Sequence, residues 1–163
     1  MFDEVLRSLL QQLMPLLPVL GPIAVMVVVL AVPMPGRGPR LLQSRDTWRG
    51  FKYAARRTVF ERAGGRCEAA AFIAWGRCRA PASEADHVFP WSRRGPTVVS
   101  NGQALCRAHN RSKSNMRPPW WYVRCLERRR AAYFPAGASV RVLARMSEED
   151  RAARAATPRR ARR

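Results

Sequence analysis

Three of the four cysteines in this 163-residue chain, together with a histidine three residues after the last of them, lie within positions 67–109. They are Cys67, Cys78, Cys106 and His109, the last two in C-x-x-H spacing. Thiolate and imidazole donors grouped in this way suit a tetrahedral zinc site better than a disulfide framework. A buried apolar pair with two stray side chains is the structural alternative. Cys125 lies apart with no partner left, and a free thiol beside a thiolate metal site favours a reducing compartment. A segment this small has little core, so zinc would supply folding free energy.

The length allows one domain with appendages. The formal charge is +19, from 30 basic and 11 acidic residues, and nearly all the basic ones are arginine. Arginine pairs bidentately with phosphate and stacks on bases, which favours a nucleic-acid partner. An anionic membrane face would attract the same charge.

The N-terminus bears on that alternative. No charged residue lies between Arg7 and Arg37, and Leu13 to Val32 is apolar apart from its prolines and Gly21. Such a run has the length of a bilayer's hydrocarbon layer, about 30 Å. The expectation is a single-pass transmembrane helix over residues 13–34, preceded by a short segment over 1–12. A signal peptide fits poorly because the start carries Asp3 and Glu4, and a buried soluble helix is the other alternative. The basic residues Arg37, Arg40, Arg45, Arg49, Lys52, Arg56 and Arg57 follow the run. The positive-inside rule therefore places the C-terminal domain in the cytoplasm, with the lipid bilayer as partner of residues 13–34.

Residues 35–46 read as a Pro/Gly/Arg linker. Helical patterning is expected from Thr47 to Ala63, with Trp48, Phe51, Val59 and Phe60 as apolar contacts and Gly64-Gly65 as a left-handed stop. Turns dominate from Cys67 to Cys106, with Phe72, Ile73 and Trp75 available to pack on a core. A short helix is expected to run through about Asn115, and another over WWYVRCLERRRAAYF, where Trp120 and Trp121 suit a core or an interface better than base stacking. Ser147 followed by three acids is an N-cap signature. Residues 136–163 read as a basic C-terminal tail ending in the disordered TPRRARR.

The chemistry-bearing stretch is RCEAAAFIAWGRCRAPASEADHVFPWSRRGPTVVSNGQALCRAHNRSKSN. It holds an Asp-His pair, Asp86-His87, then Pro90, Asn101, Leu105-Cys106, Asn110 and Lys113. This arrangement resembles the HNH endonucleases over roughly residues 56–115. The resemblance implies an α+β fold, a zinc-stabilised ββα-metal unit with flanking helices spanning 47–135, whose two short strands carry the His and the Asn. It implies that His87 is the general base, that Asp86 and Asn110 hold a catalytic Mg²⁺ or Mn²⁺, and that Asn101 fixes the loop and orients the His87 ring. Cys67 and Cys78 depart from the family's common C-x-x-C spacing, and His109 stands where a cysteine is usual. Arg93, Arg94, Arg107, Arg111 and Lys113 are the candidate phosphate contacts, although a solvated basic face would look the same. The function implied is a membrane-anchored, metal-dependent endonuclease acting on DNA. A zinc-dependent nucleic-acid-binding module without catalysis is the alternative, and a membrane adaptor the weaker third.

Overall fold

The computed structural model describes residues 2–31, 38–71 and 76–156. The chain divides into two compact units, Met1–Pro33 and Met34–Arg163.

In the first unit, α1 (Phe2–Leu13) is followed by a 3₁₀ turn (Met14–Leu16) and α2 (Leu17–Ala31). The single membrane-crossing helix expected over residues 13–34, whose last three residues lie outside the described ones, is not found among the described residues. Pro15 falls in the 3₁₀ turn that interrupts the apolar run, Pro18 sits in the first turn of α2, where a missing N–H is harmless, and Pro22 lies inside α2. The 15 residues of α2 span about 22 Å against the about 30 Å of a bilayer core. Among the described residues, no helix is long and apolar enough to cross a membrane.

The second unit mixes helices with a two-stranded antiparallel sheet. Strand β1 (Glu84–His87) pairs with β2 (Gly102–Leu105), His87 facing Gly102 and Asp86 facing Gln103. Four helices surround the hairpin: α3 (Tyr53–Arg62), α4 (Arg107–Lys113), α5 (Trp120–Arg130) and α6 (Glu148–Ala156). Helix α3 starts later than the pattern from Thr47 suggests, because Asp46 accepts the Trp48 N–H at 2.9 Å and holds that stretch as a turn. It stops as expected: Gly64 and Gly65 have φ of 56° and 66°, and their N–H groups bond the Glu61 and Phe60 carbonyls at 2.9 Å. This double bond closes the helix in a Schellman motif.

Three small apolar clusters make the core. Phe51, Val59, Ala63 and Ala104 pack α3 on the hairpin. Val88, Phe89, Leu126 and Val142 join the hairpin loop, α5 and the C-terminal segment. Cys67, Ala69 and Leu105 form the third, with Cys78 and Cys106 against it. The α3 cluster tolerates nothing larger than glycine at position 102, where a Cβ would lie 2.5 Å from Val59 Cγ2.

Two flanking segments, the linker and the C-terminal segment, pack on this unit. In the linker, Gln43 donates to the carbonyls of Arg94 at 2.8 Å and Ala144 at 2.9 Å, and the Asp46 side chain is fully buried. The basic tail expected from residue 136 packs back as far as residue 156. Val142 is in the core, and α6 opens on the expected cap, Ser147 Oγ accepting the Asp150 N–H at 3.0 Å. Phe72, Ile73, Trp75, Val32 and the final TPRRARR lie outside the described residues.

Candidate functional site

The Asp-His pair ends β1, so successive side chains point to opposite faces of the hairpin. His87 is buried at 5% exposure and lies under the Phe51 ring, centroids 4.7 Å apart. Its Nε2 is 2.9 Å from Thr97 Oγ1, and its Nδ1 is 3.8 Å from Asp86 Oδ1. Asp86 is half-buried, and its Oδ2 accepts a hydrogen bond from Lys113 Nζ at 2.7 Å. Burial pushes the Asp86 carboxyl upward, but the Lys113 ammonium at 2.7 Å and the His87 backbone N–H favour the ionised form, and its pKa lies below the usual value.

Lys113, a candidate phosphate contact in the sequence, is paired with Asp86 in this structure. Asn110 lies half-buried on α4, one turn before Lys113 and hence on the same helix face. Arg93, Arg94, Arg107 and Arg111 are all exposed. Trp120 is exposed at 64%, which removes it from the core, while Trp121 is half-buried and packs edge-on to Tyr122 at 6.3 Å.

Asn101 ends the 3₁₀ turn before β2 and is fully buried. Its Oδ1 accepts the Phe89 N–H at 2.9 Å, and its Nδ2 donates to the carbonyls of Phe89 at 3.1 Å and Pro96 at 2.8 Å. These bonds tie Asn101, at the end of the long loop between the strands, back to Phe89 near its start and to Pro96. The His87 ring meets Thr97, Asp86 and Phe51, while Asn101 bonds the Pro96 carbonyl, one residue before Thr97. Asn101→Ala would strand three buried backbone groups at about 1–3 kcal/mol each. Urea unfolding should show a fall in stability, well above that of an exposed Asn→Ala control such as Asn115→Ala.

Cys67, Cys78, Cys106 and His109 come together as the sequence suggested, their donor atoms all within 4.8 Å of one another. His109 Nδ1 lies 3.2 Å from Cys106 Sγ and 3.6 Å from Cys67 Sγ. Two segments meet here: the loop after α3, held by Cys67 N–H to Ala80 O (3.0 Å) and Cys78 N–H to Ala69 O (2.9 Å), and the first turn of α4. The thiols differ. The His109 backbone N–H and ring bring Cys106 down to about 7, whereas burial raises Cys67 to about 11. A bound cation would draw both into the thiolate form.

Glu68, the neighbour of Cys67 in the chain, carries a buried ion pair that the sequence reading did not single out. Its carboxylate is 1% exposed and takes Arg130 Nε at 2.8 Å, the Ala104 N–H at 2.8 Å and the Tyr133 hydroxyl at 2.8 Å. Arg130 also donates to the Gly102 carbonyl at 2.6 Å. Burial and the Glu68 charge raise the Tyr133 pKa, which keeps its hydroxyl a donor. No local motif marks a pair so distant in sequence.

Residues 67–116 match the family model described as HNH endonuclease. The match covers less than half of the chain and contains the Cys₃His cluster together with Asp86, His87, Asn101 and Asn110. No curated protein and no solved structure matches the chain.

Proposed function

We propose, from the premise that residues 67–116 are an HNH endonuclease domain, that this chain is a metal-dependent endonuclease hydrolysing phosphodiester bonds in DNA. The observation that carries the reading is the pairing at the end of β1: an imidazole held from behind through Nε2, with Nδ1 on the side of an ionised carboxylate. His87 is the general base. Imidazole is the side chain suited to taking a proton from water near neutral pH, and the attack would leave 5′-phosphate and 3′-hydroxyl ends.

Asp86 and Asn110 would hold one Mg²⁺ or Mn²⁺ through hard oxygen donors. The Asp86 carboxylate fits that role, since it already binds a cation, the Lys113 ammonium, at 2.7 Å. A divalent ion bound there would supply Lewis-acid stabilisation of the leaving 3′ oxygen. Asn101 holds the loop, and Arg93, Arg94, Arg107 and Arg111 offer exposed guanidinium groups to phosphate. The Cys67–Cys78–Cys106–His109 cluster is a structural zinc site. Tetrahedral zinc with bonds of about 2.0–2.3 Å needs donors separated by about 3.5–4 Å, which this cluster approaches.

The Lys113–Asp86 ion pair also favours a second reading, a zinc-dependent nucleic-acid-binding module in which lysine has taken the cation's place. Plasmid nicking separates the two. With zinc-loaded full-length protein, supercoiled DNA should be nicked or linearised only when Mg²⁺ or Mn²⁺ is added. His87→Ala should cut about 10²–10⁴-fold more slowly, the usual contribution of a general base. A gel shift without any cutting would favour the binding module. Equal cutting by wild type and His87→Ala would remove His87 from its role.

For the N-terminal unit we propose membrane association through residues 13–34, with the C-terminal domain on the cytoplasmic side. The support is the exposed apolar surface of α2, where Val19, Ile23, Val25, Met26 and Val28 all stand out. Failure of the full chain to pellet with membranes would end that reading.

A further inference from the structure

We infer that Thr97 fixes the tautomer of His87 and that the buried Asp46–Arg154 pair, outside the family-matched segment, holds Thr97 in place to do so. The inference deepens the reading of His87 as the general base.

A threonine hydroxyl has one proton to give and lone pairs to accept with. Thr97 Oγ1 lies 2.5 Å from the Trp48 carbonyl oxygen and 2.9 Å from His87 Nε2. A carbonyl can only accept, so the hydroxyl proton points to Trp48. The lone pair left on Oγ1 then faces His87, and Nε2 must carry a hydrogen to meet it. In a neutral ring this puts the lone pair on Nδ1, the nitrogen on the side of Asp86. At 3.8 Å the Asp86 contact is too long to be a hydrogen bond. The basic nitrogen is therefore aimed at the carboxylate side while the other is occupied.

Both ends of this relay are anchored by one carboxylate. Asp46 Oδ2 accepts the Thr97 N–H at 2.8 Å, and Oδ1 accepts the Trp48 N–H at 2.9 Å. Its side chain is fully buried and paired with Arg154 Nε at 3.3 Å. Arg154 in turn donates to the Thr97 carbonyl at 2.7 Å and stacks over the Trp48 ring at 3.6 Å. A buried carboxylate without its partner is costly, so α6 and the segment before α3 lock together around the hydroxyl. Thr97, Asp46 and Arg154 are positioning residues: none needs to touch the substrate.

The chain has two histidines, so ring-nitrogen NMR of the zinc-loaded full-length protein has only two rings to assign. At a pH where His87 is neutral, its ring should be the Nε2–H tautomer. In Thr97→Val, which keeps the shape but removes the hydroxyl, the Nδ1–H form should become populated. Thr97→Ser should restore the wild-type spectrum. Plasmid nicking by Thr97→Val should fall in kcat by about 10- to 100-fold, part of the about 10²–10⁴-fold of general-base catalysis. KM should stay within about two-fold and Thr97→Ser should recover most of the rate. Arg154→Met should shift the tautomer in the same direction as Thr97→Val. A wild-type His87 in the Nδ1–H form overturns the inference, even if every variant misfolds. So does a Thr97→Val spectrum indistinguishable from wild type. An Nε2–H spectrum lost in Thr97→Val, together with undiminished cutting by His87→Ala, supports the relay and sinks only the base assignment.

Discussion

Stripping metal from the Cys67–Cys78–Cys106–His109 cluster is expected to unfold much of the Met34–Arg163 unit. The cluster is a core element as well as a candidate metal site: Cys67 is fully buried and packs with Ala69 and Leu105, the last residue of β2. Its second arm is the first turn of α4, the helix that carries Asn110 and Lys113. Structural zinc is worth about 10–16 kcal/mol in zinc-finger peptides, on the order of a whole domain's net stability. With chelator present, the apo protein should show a thermal transition tens of degrees lower or none at all, and should regain it when zinc is returned. Elemental analysis should find one zinc per folded chain. Cys106→Ser, which removes a thiol already poised to ionise near neutral pH, should behave like the chelated protein. An unchanged melting curve after complete metal removal would show that the apolar clusters suffice without the ion.

Arg130→Met should cost about 3–5 kcal/mol, the usual penalty for leaving one member of a buried ion pair unpaired. For a unit of this size, that corresponds to a fall in melting temperature of roughly 10–20 °C. Glu68 is the reason. Its carboxylate is 1% exposed and would keep only the Ala104 N–H and the Tyr133 hydroxyl. The Gly102 carbonyl would lose its donor too, at the point where β2 faces His87. The double variant Glu68→Gln/Arg130→Met should regain much of the loss, because no unpaired charge remains. A differential scan of the wild type, Arg130→Met, Glu68→Gln and the double variant measures the coupling directly. If the single and double variants melt together, the penalty comes from lost packing and not from the stranded charge.

These two effects have different visibility in the sequence. The metal cluster was legible because cysteine and histidine are scarce here and C-x-x-H is a local spacing. Asp86-His87, Asn101 and Asn110 were singled out for a similar reason, as residue types at spacings that fit a short hairpin followed by a helix. The Gly64-Gly65 stop and the Ser147 cap likewise depend on backbone geometry within a few residues. Glu68–Arg130, Asp46–Arg154 and Thr97–His87 left no such mark. Each joins side chains from different elements, and an arginine, aspartate or threonine gives no sign of its partner until the chain has packed. Lys113 shows the same limit: its place on α4 was clear, but only the approach of β1 set its ammonium on Asp86.

The N-terminal segment marks the boundary from the other side. Composition made residues 13–34 read as one apolar helix, yet the 3₁₀ turn that holds Pro15 interrupts the run. By itself, then, the sequence determined which residues could carry the chemistry, because short-range spacing and donor type are local properties. Only the tertiary structure decided which ring nitrogen Thr97 faces, which buried charges are paired and which flanking segments close over the loop. Those depend on contacts between residues far apart in the chain, and no local pattern encodes them.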